Sequence, residues 1–118
     1  MFSQITVEEL GTRLTNDLTM DSLTKNLQLV DVREPQEVAI ASLKGFENYP
    51  LSEFAQWSEQ ILTRLDPHTE TLVLCHHGVR SAQMCQWLVT QQGFTNVKNI
   101  VGGIDAYSLI VDRAIPRY

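Results

Sequence analysis

A cysteine, a glycine and an arginine stand close together where a short apolar run gives way to a helical pattern. Residues 71–74 predict a buried strand, and Cys75 follows it directly. The helix that comes next begins with unpaired amides and about half a positive charge, which stabilise an anion. Cysteines in such a setting have depressed pKa values, and their thiolates are nucleophiles. The pattern therefore predicts nucleophilic chemistry at Cys75.

The residues after Cys75 have the properties of a cradle for an anion. Gly78 can adopt a positive φ, which lets successive backbone amides turn towards one point. Arg80 adds a fixed positive charge whose forked donors suit a tetrahedral oxyanion. We therefore expect a substrate-binding cradle made of His76, His77, Gly78, Val79 and Arg80.

These residues also have simpler interpretations. Free cysteine is among the most buried residue types, so Cys75 alone would be taken as structural, but the Gly78 and Arg80 spacing favours a nucleophile. The side chains of His76 and His77 either assist proton transfer, or these two residues contribute only their backbone amides to the site. No metal site is expected, because adjacent residues do not easily converge on one ion.

The second cysteine, Cys85, falls on the apolar side of a helix predicted over residues 80–92. Ser81, Met84 and Leu88 share that side at helical spacing. Core packing explains Cys85, and a resolving thiol is the alternative. Ser81 is expected to support the cradle from behind.

The elements that position this loop alternate along the chain. Thr6 and Glu9 match a capping box before a helix over residues 7–17. Strands are predicted at 27–32, 46–51, 71–74 and 97–101. Glu34 and Pro35 open a short helix, Ser52 is expected to cap a helix over 53–65, and Gly93 ends the helix at 80–92. The inward-facing positions are predicted to be Phe54, Trp57, Ile61 and Leu65, and, in a last helix after residues 102–103, Ile104, Tyr107 and Leu109 or Ile110.

This alternation predicts an α/β fold with a central parallel sheet of about five short strands and helices on both faces. Ligands of such sheets bind at the carboxyl ends of the strands. Asp31 and Arg33 end one buried strand, and we expect them to form a hydrogen-bonded pair that braces the neighbouring loop rather than touching substrate.

Length and composition exclude several classes of protein. The 118 residues are expected to form one domain, 1–118, and 43% of them are hydrophobic. A net charge of −5 gives no general reason to bind nucleic acid or an anionic membrane. No run of about 20 apolar residues predicts a membrane span, and the first residues lack a secretory signal. Two cysteines outside any CxxC motif favour a reduced, cytoplasmic protein.

Three segments together resemble the rhodanese-like domain family. They are residues 31–35 (DVREP), the loop of residues 75–80 followed by Ser81, and residues 102–107 (GGIDAY). The resemblance runs from Thr6 to Tyr118. The ending is similar to the rhodanese module of sulfur-transfer enzymes that serve molybdopterin and ubiquitin-like carriers. One departure is that residues 41–46 (ASLKGF) replace the GHIPGA box of many members.

The resemblance implies a parallel α/β domain that carries sulfane sulfur as a persulfide on Cys75. A donor such as thiosulfate would load the sulfur, and a thiol, a protein cysteine or, in an assay, cyanide would accept it. No metal or organic cofactor is implied. The first alternative is a cysteine phosphatase, whose loop has five residues between Cys and Arg, whereas four separate Cys75 from Arg80. The second is a non-catalytic, partner-binding module of the same family.

Overall fold

Five short strands form one parallel sheet in the computed structural model, which describes residues 2–16 and 27–118. The strands are β1 (Ser3–Ile5), β2 (Gln28–Asp31), β3 (Glu47–Asn48), β4 (Thr71–Leu74) and β5 (Val97–Ile100). Their order across the sheet is β1-β5-β4-β2-β3. Val73 in the central strand β4 pairs with Val30 on one side and Asn99 on the other. The carboxyl ends of β2, β4 and β5 therefore meet at one edge of the sheet.

Helices connect these strands. They are α1 (Val7–Asn16), α2 (Pro35–Ile40), α3 (Phe54–Trp57), α4 (Ile61–Arg64), α5 (Val79–Gln92) and α6 (Gly103–Ile110), with 3₁₀ turns at Leu51–Glu53 and Ser58–Gln60. None of the helices in the described ranges is both long and apolar enough to cross a membrane.

The sheet has a hydrophobic core on each face. Leu72 and Leu74 of β4 belong to one cluster, together with Leu10 of α1 and Ile104 of α6. Val73 points to the cluster on the opposite face, whose members include Trp57, Ile61, Met84, Cys85 and Leu88. The alternation along β4 is that of a strand buried on both faces. The predicted α/β fold with helices on both faces is confirmed.

Most predicted boundaries agree with the structure. The first helix is described over Val7–Asn16, while its last predicted residue, Asp17, lies outside the described residues. The capping box is present, since the Thr6 hydroxyl accepts from the Glu9 amide at 3.1 Å and the Thr6 amide donates to the Glu9 carboxylate at 3.2 Å. Gly93, with φ of 74°, ends α5 as predicted. The strand β1 was not predicted, because three residues are too few for periodicity to show.

The predicted helix over 53–65 is wrong as one continuous element. The chain instead forms two short helices separated by a 3₁₀ turn, and a further 3₁₀ turn precedes them. Ser52 lies inside that first turn and donates to the Glu34 carboxylate, so it is not the predicted cap. A 3₁₀ turn advances about 120° per residue instead of about 100°, so side chains at helical spacing no longer lie on one face. Phe54 is accordingly exposed, whereas Trp57, Ile61 and Leu65 are buried as predicted.

Two further expectations fail at the edges of elements. The strand predicted over 46–51 is only Glu47–Asn48. The Tyr49 amide still donates to the Asp31 carbonyl at 2.8 Å, but Pro50 has no amide hydrogen with which to extend the pairing. In α6, Ile104 and Tyr107 are buried as predicted, but Leu109 and Ile110 are both exposed. Ser108 occupies the third inward position, where its hydroxyl donates to the Ile115 carbonyl.

Candidate active site

Cys75 lies at the carboxyl end of β4, in the loop that leads into α5. Its side chain is buried, with 1% of the residue exposed. Gly78, the residue before α5, has φ of 103°, a left-handed conformation that glycine adopts without strain. The chain folds back at this point because a buried parallel strand must turn sharply into the helix that covers it.

Two groups of the loop contact the sulfur of Cys75. The amide of Gly78 donates to Sγ at 3.0 Å, and the Ser81 hydroxyl lies 3.2 Å from Sγ. The first contact is the kind that stabilises a thiolate, since an N–H group points at the sulfur from a helix N-terminus. Ser81, on the first turn of α5, is fully buried beneath the loop.

Asn99 closes these contacts into a ring. Its Nδ2 group donates to the Gly78 carbonyl at 3.1 Å, which leaves its Oδ1 atom to accept from the Ser81 hydroxyl at 2.5 Å. The four residues therefore form a closed cycle that fixes both the sulfur and the amide that faces it.

The N-terminus of α6 holds the same loop from the other side. The amides of Ile104 and Asp105 donate to the carbonyls of Cys75 and His76 at 2.9 and 3.1 Å. Gly103 stands at the closest approach, where an added Cβ would lie 2.4 Å from each of those two carbonyl oxygens. The paired glycines noted in the sequence thus allow α6 to bind the backbone of the loop.

The predicted cradle residues are placed differently from one another. Arg80 forms a bidentate ion pair with Glu37 of α2, at 2.7 and 2.8 Å. This pairing lowers the pKa of Glu37 to about 2 and raises the pKa of Arg80. Val79 is 68% exposed beside the loop, and His77 is also exposed.

His76 is the middle ring of a three-ring stack. Its ring centroid lies 3.9 Å from that of His77 and 4.0 Å from that of Tyr118. Burial lowers the pKa of His76, so the ring is neutral near pH 7. The Tyr118 hydroxyl donates to Glu37 at 2.9 Å and accepts from Arg33 at 2.9 Å. The stack therefore joins the loop to the Glu37–Arg80 pair.

The ion pair expected between Asp31 and Arg33 is present and buried, with 2.7 Å between Nη2 and Oδ2. Arg33 also donates to the Ala41 carbonyl at 2.8 Å, just after α2. The pair therefore fixes α2, which carries Glu37, and it reaches the Cys75 loop both through that helix and through Tyr118, whose hydroxyl accepts from Arg33 and whose ring stacks on His76.

His76, His77 and Asp105 offer ligand atoms within 4.8 Å of one another. Imidazole binds a metal in the plane of its ring. The two rings are stacked with 27° between their planes, so their ring-plane directions do not converge on one ion. Asp105 is in addition paired with Arg117 at 3.0 Å. The arrangement suits ring packing over the loop and does not fit a metal.

Cys85 is fully buried among the apolar residues of α5, and burial raises the pKa of its thiol to about 12. Sequence reasoning missed Asn99, Glu37 and Tyr118. A polar residue inside the apolar strand β5 was a usable signal for Asn99. No local sequence pattern marks Tyr118, because the two residues that hydrogen-bond to its hydroxyl stand more than 80 residues earlier in the chain.

The comparisons with known proteins agree on one family. The model of the Rhodanese-like domain family matches residues 15–109. The chain is 49% identical to the "Rhodanese-like/PpiC domain-containing protein 12, chloroplastic" of Arabidopsis thaliana, over 97% of this chain and 36% of that protein. It is 34% identical to the "Thiosulfate sulfurtransferase GlpE" of Vibrio cholerae, over 70% of this chain and 74% of that protein.

Longer relatives and solved structures extend the comparison. The "Adenylyltransferase and sulfurtransferase UBA4" of Candida glabrata is 32% identical over 79% of this chain, but over only 23% of its own length. The chain thus spans about a third or less of the plant and yeast relatives. A rhodanese-like domain protein from Staphylococcus aureus superposes with a TM-score of 0.71 at 22% identity, over 99% of both chains, and so shows the fold. A rhodanese-related protein from Thermoplasma volcanium gives 0.69 at 25% identity, over 98% of this chain and 96% of that one.

Proposed function

The chain belongs to the rhodanese-like domain family, and from that premise we propose that it is a sulfurtransferase carrying sulfane sulfur as a persulfide on Cys75. The observation that carries the proposal is the 3.0 Å contact from the Gly78 amide to Sγ at the start of α5. Sulfurtransferases among the relatives support it. We further propose that residues 1–118 act as one domain in this reaction.

The first step loads the sulfur. The Cys75 thiolate attacks the outer sulfur of a donor such as thiosulfate and forms a new S–S bond. The bond between the two donor sulfurs breaks, and sulfite leaves with its electron pair. The Gly78 amide faces the sulfur that carries the negative charge and stabilises that charge, as the donors of an oxyanion hole do.

The second step returns the enzyme to its starting state. A thiol, a protein cysteine or, in an assay, cyanide attacks the outer sulfur of the persulfide, and the Cys75 thiolate leaves with its electron pair. Because the two steps are separate displacements, the kinetics are ping-pong. Neither step needs an oxidant, a metal or an organic cofactor.

Mass spectrometry tests the proposal directly. Protein treated with thiosulfate should gain one sulfur atom on Cys75, and cyanide should remove it as thiocyanate. The Cys75→Ser variant should gain none and should lose turnover, because its hydroxyl is a poor nucleophile at neutral pH. Cys85→Ala is the matched control and should keep most of the activity.

Two results would contradict the proposal. A folded wild-type protein that gains no sulfur from thiosulfate or from an alkyl persulfide would indicate the non-catalytic, partner-binding alternative. An equal loss of activity in Cys85→Ala and Cys75→Ser would show that Cys75 is not the sole carrier.

A further inference from the structure

The positive charge of the loop is already matched by a carboxylate. Both guanidinium Nη atoms of Arg80 bond to both oxygens of Glu37, at 2.7 and 2.8 Å. The Glu37 side chain is mostly buried, with 18% exposed against 35% for Arg80. With its pKa near 2, Glu37 is ionised throughout the neutral range. Arg80 therefore presents little unbalanced charge to a substrate.

Glu37 is also fixed in place. Its Oε2 atom accepts from the Glu34 amide at 2.9 Å, in the capping box of α2, and its Oε1 atom accepts from the Tyr118 hydroxyl. Arg33, which is buried beside Asp31, donates in turn to that hydroxyl. The carboxylate cannot swing aside without breaking these bonds, so Arg80 cannot turn to a substrate while keeping its bidentate partner.

Two other arginines near this site, among the residues that the structure describes, are matched in the same way. Arg33 pairs with Asp31 at 2.7 Å, and Arg117 pairs with Asp105 at 3.0 Å. Three guanidinium groups around the loop are thus each paired with a carboxylate. The chain as a whole has a net charge of −5. A site built to prefer a dianion would have an excess of positive charge.

We propose that Glu37 is a positioning residue that sets donor preference, and that the site takes its sulfur preferentially from a persulfide of low charge rather than from thiosulfate. This inference rests on the proposed function. The thiolate of Cys75 attacks the outer sulfur of R–S–SH, and a new S–S bond forms as the bond between the two donor sulfurs breaks. The R–S⁻ group leaves with the electron pair, while the proton stays on the transferred sulfur. The persulfide donor brings at most one negative charge to the loop, whereas thiosulfate brings two.

The test compares two donors in one variant. Glu37→Gln keeps the shape of the side chain and its place in the capping box, since Gln also serves at that position. Freed of its counter-charge, Arg80 should raise kcat/KM for thiosulfate by about tenfold or more, relative to that for the persulfide of 2-mercaptoethanol, whose organic part carries no charge. Cyanide is the acceptor in both assays.

Glu70→Gln is the matched control. Glu70 is also ion-paired, with Arg13 and Lys98, and its replacement by Gln changes the net charge by the same amount. It precedes β4, whereas Cys75 follows that strand, so about 15 Å of extended chain separates the two. The donor ratio of Glu70→Gln should equal that of the wild type.

A salt series on the wild type gives a second readout. Without excess positive charge at the site, kcat/KM for thiosulfate should stay level or rise between about 0.02 and about 0.5 M salt. The Glu37→Gln variant should instead lose thiosulfate activity as salt is added.

The outcomes separate the two proposals. An unchanged donor ratio in folded Glu37→Gln, equal losses with both donors, or a steep fall of wild-type thiosulfate activity with salt would overturn the role of Glu37, while the persulfide on Cys75 would still form. If neither donor loads Cys75 in the wild type, the proposed function itself fails.

Discussion

Gly103 lies against the backbone of Cys75 more closely than any side chain would permit. A Cβ at this position would stand 2.4 Å from the Cys75 carbonyl oxygen, and the φ of 63° is itself left-handed. That close approach lets the next two amides of α6 donate to the loop carbonyls. The position of the nucleophile thus depends on a glycine 28 residues further along the chain.

Replacing Gly103 by alanine should therefore lower the rate of sulfur transfer by more than the loss of folding stability would explain. The added methyl group must push the loop away from α6, and a displacement of about 1 Å at a reacting atom costs roughly a hundredfold in rate. We expect at least a tenfold loss of sulfur transfer, measured at a temperature where circular dichroism shows the variant to be folded.

Gly93→Ala is the matched control for this prediction. Gly93 also has a left-handed φ, of 74°, but a Cβ there would meet no other atom within 4 Å. It should lose about 1 kcal/mol of stability from backbone strain while keeping its activity. Equal activity in the two variants would show that the close contact with Cys75 does not position the loop.

The ring through Asn99 supports a second prediction. In Asn99→Asp a carboxylate oxygen would face the Gly78 carbonyl, where the amide now donates, and a negative charge would lie near the sulfur. Both effects oppose a thiolate at Cys75 and displace its Gly78 donor, so sulfur transfer should fall about a hundredfold, as when one oxyanion donor is lost.

Ser81→Ala is the comparison for that variant. It removes two contacts of the ring, from the Ser81 hydroxyl to Sγ and to Asn99 Oδ1, but leaves the Gly78 amide on Sγ and adds no charge. Its activity should fall less than that of Asn99→Asp at neutral pH. A larger loss in Ser81→Ala would mean that the hydroxyl, and not the Gly78 amide, is the main support of the sulfur.

The sequence predicts this site unevenly, and the reasons are physical. Cys75, Gly78 and Ser81 are close in the chain, so helix and turn geometry alone place them together. Asn99 and Glu37 reach the loop only through the sheet order β5-β4-β2, which local periodicity does not encode. Arg80 was expected to offer a free charge, but its partner stands 43 residues earlier. In the broken helices over 51–64, Phe54 and Trp57 pack against Trp87 of α5, a contact that is likewise non-local.

A pH prediction follows from Glu70. Its ion pairs with Arg13 and Lys98 lower its pKa to about 2 in the folded protein, from an ordinary value of 4.5. A carboxylate with a depressed folded pKa stabilises the fold above its unfolded pKa, and this contribution is lost as pH falls towards the folded value. Urea unfolding should show Glu70→Gln to be less stable by on the order of 1 kcal/mol at pH 7. The difference should shrink below about pH 4.5 and vanish near pH 2. A difference that is constant from pH 7 to pH 2 would show that the charge of Glu70 is not involved.

The size of the loop separates sulfur transfer from phosphate hydrolysis. Four residues stand between Cys75 and Arg80, and Gly78 is held on both sides, by its amide on Sγ and by Asn99 on its carbonyl. A phosphate ester needs its equatorial oxygens ringed by amides, with phosphorus in line with the thiolate. Gly78 also lies close to the start of α6, since a Cβ on it would come 3.2 Å from the Gly102 amide nitrogen.

We therefore expect negligible aryl-phosphatase activity in the wild type. Inserting one glycine between His77 and Gly78 should move the Gly78 amide off the sulfur. Because a misplacement of about 1 Å costs roughly a hundredfold, sulfur transfer should fall by about that factor. The two rates are measured side by side, with thiosulfate and cyanide in one assay and an aryl phosphate in the other, and Cys75→Ser provides the blank for both. Substantial hydrolysis of the aryl phosphate by the wild type, lost in Cys75→Ser and without sulfur transfer, would assign the same loop to phosphoryl chemistry instead.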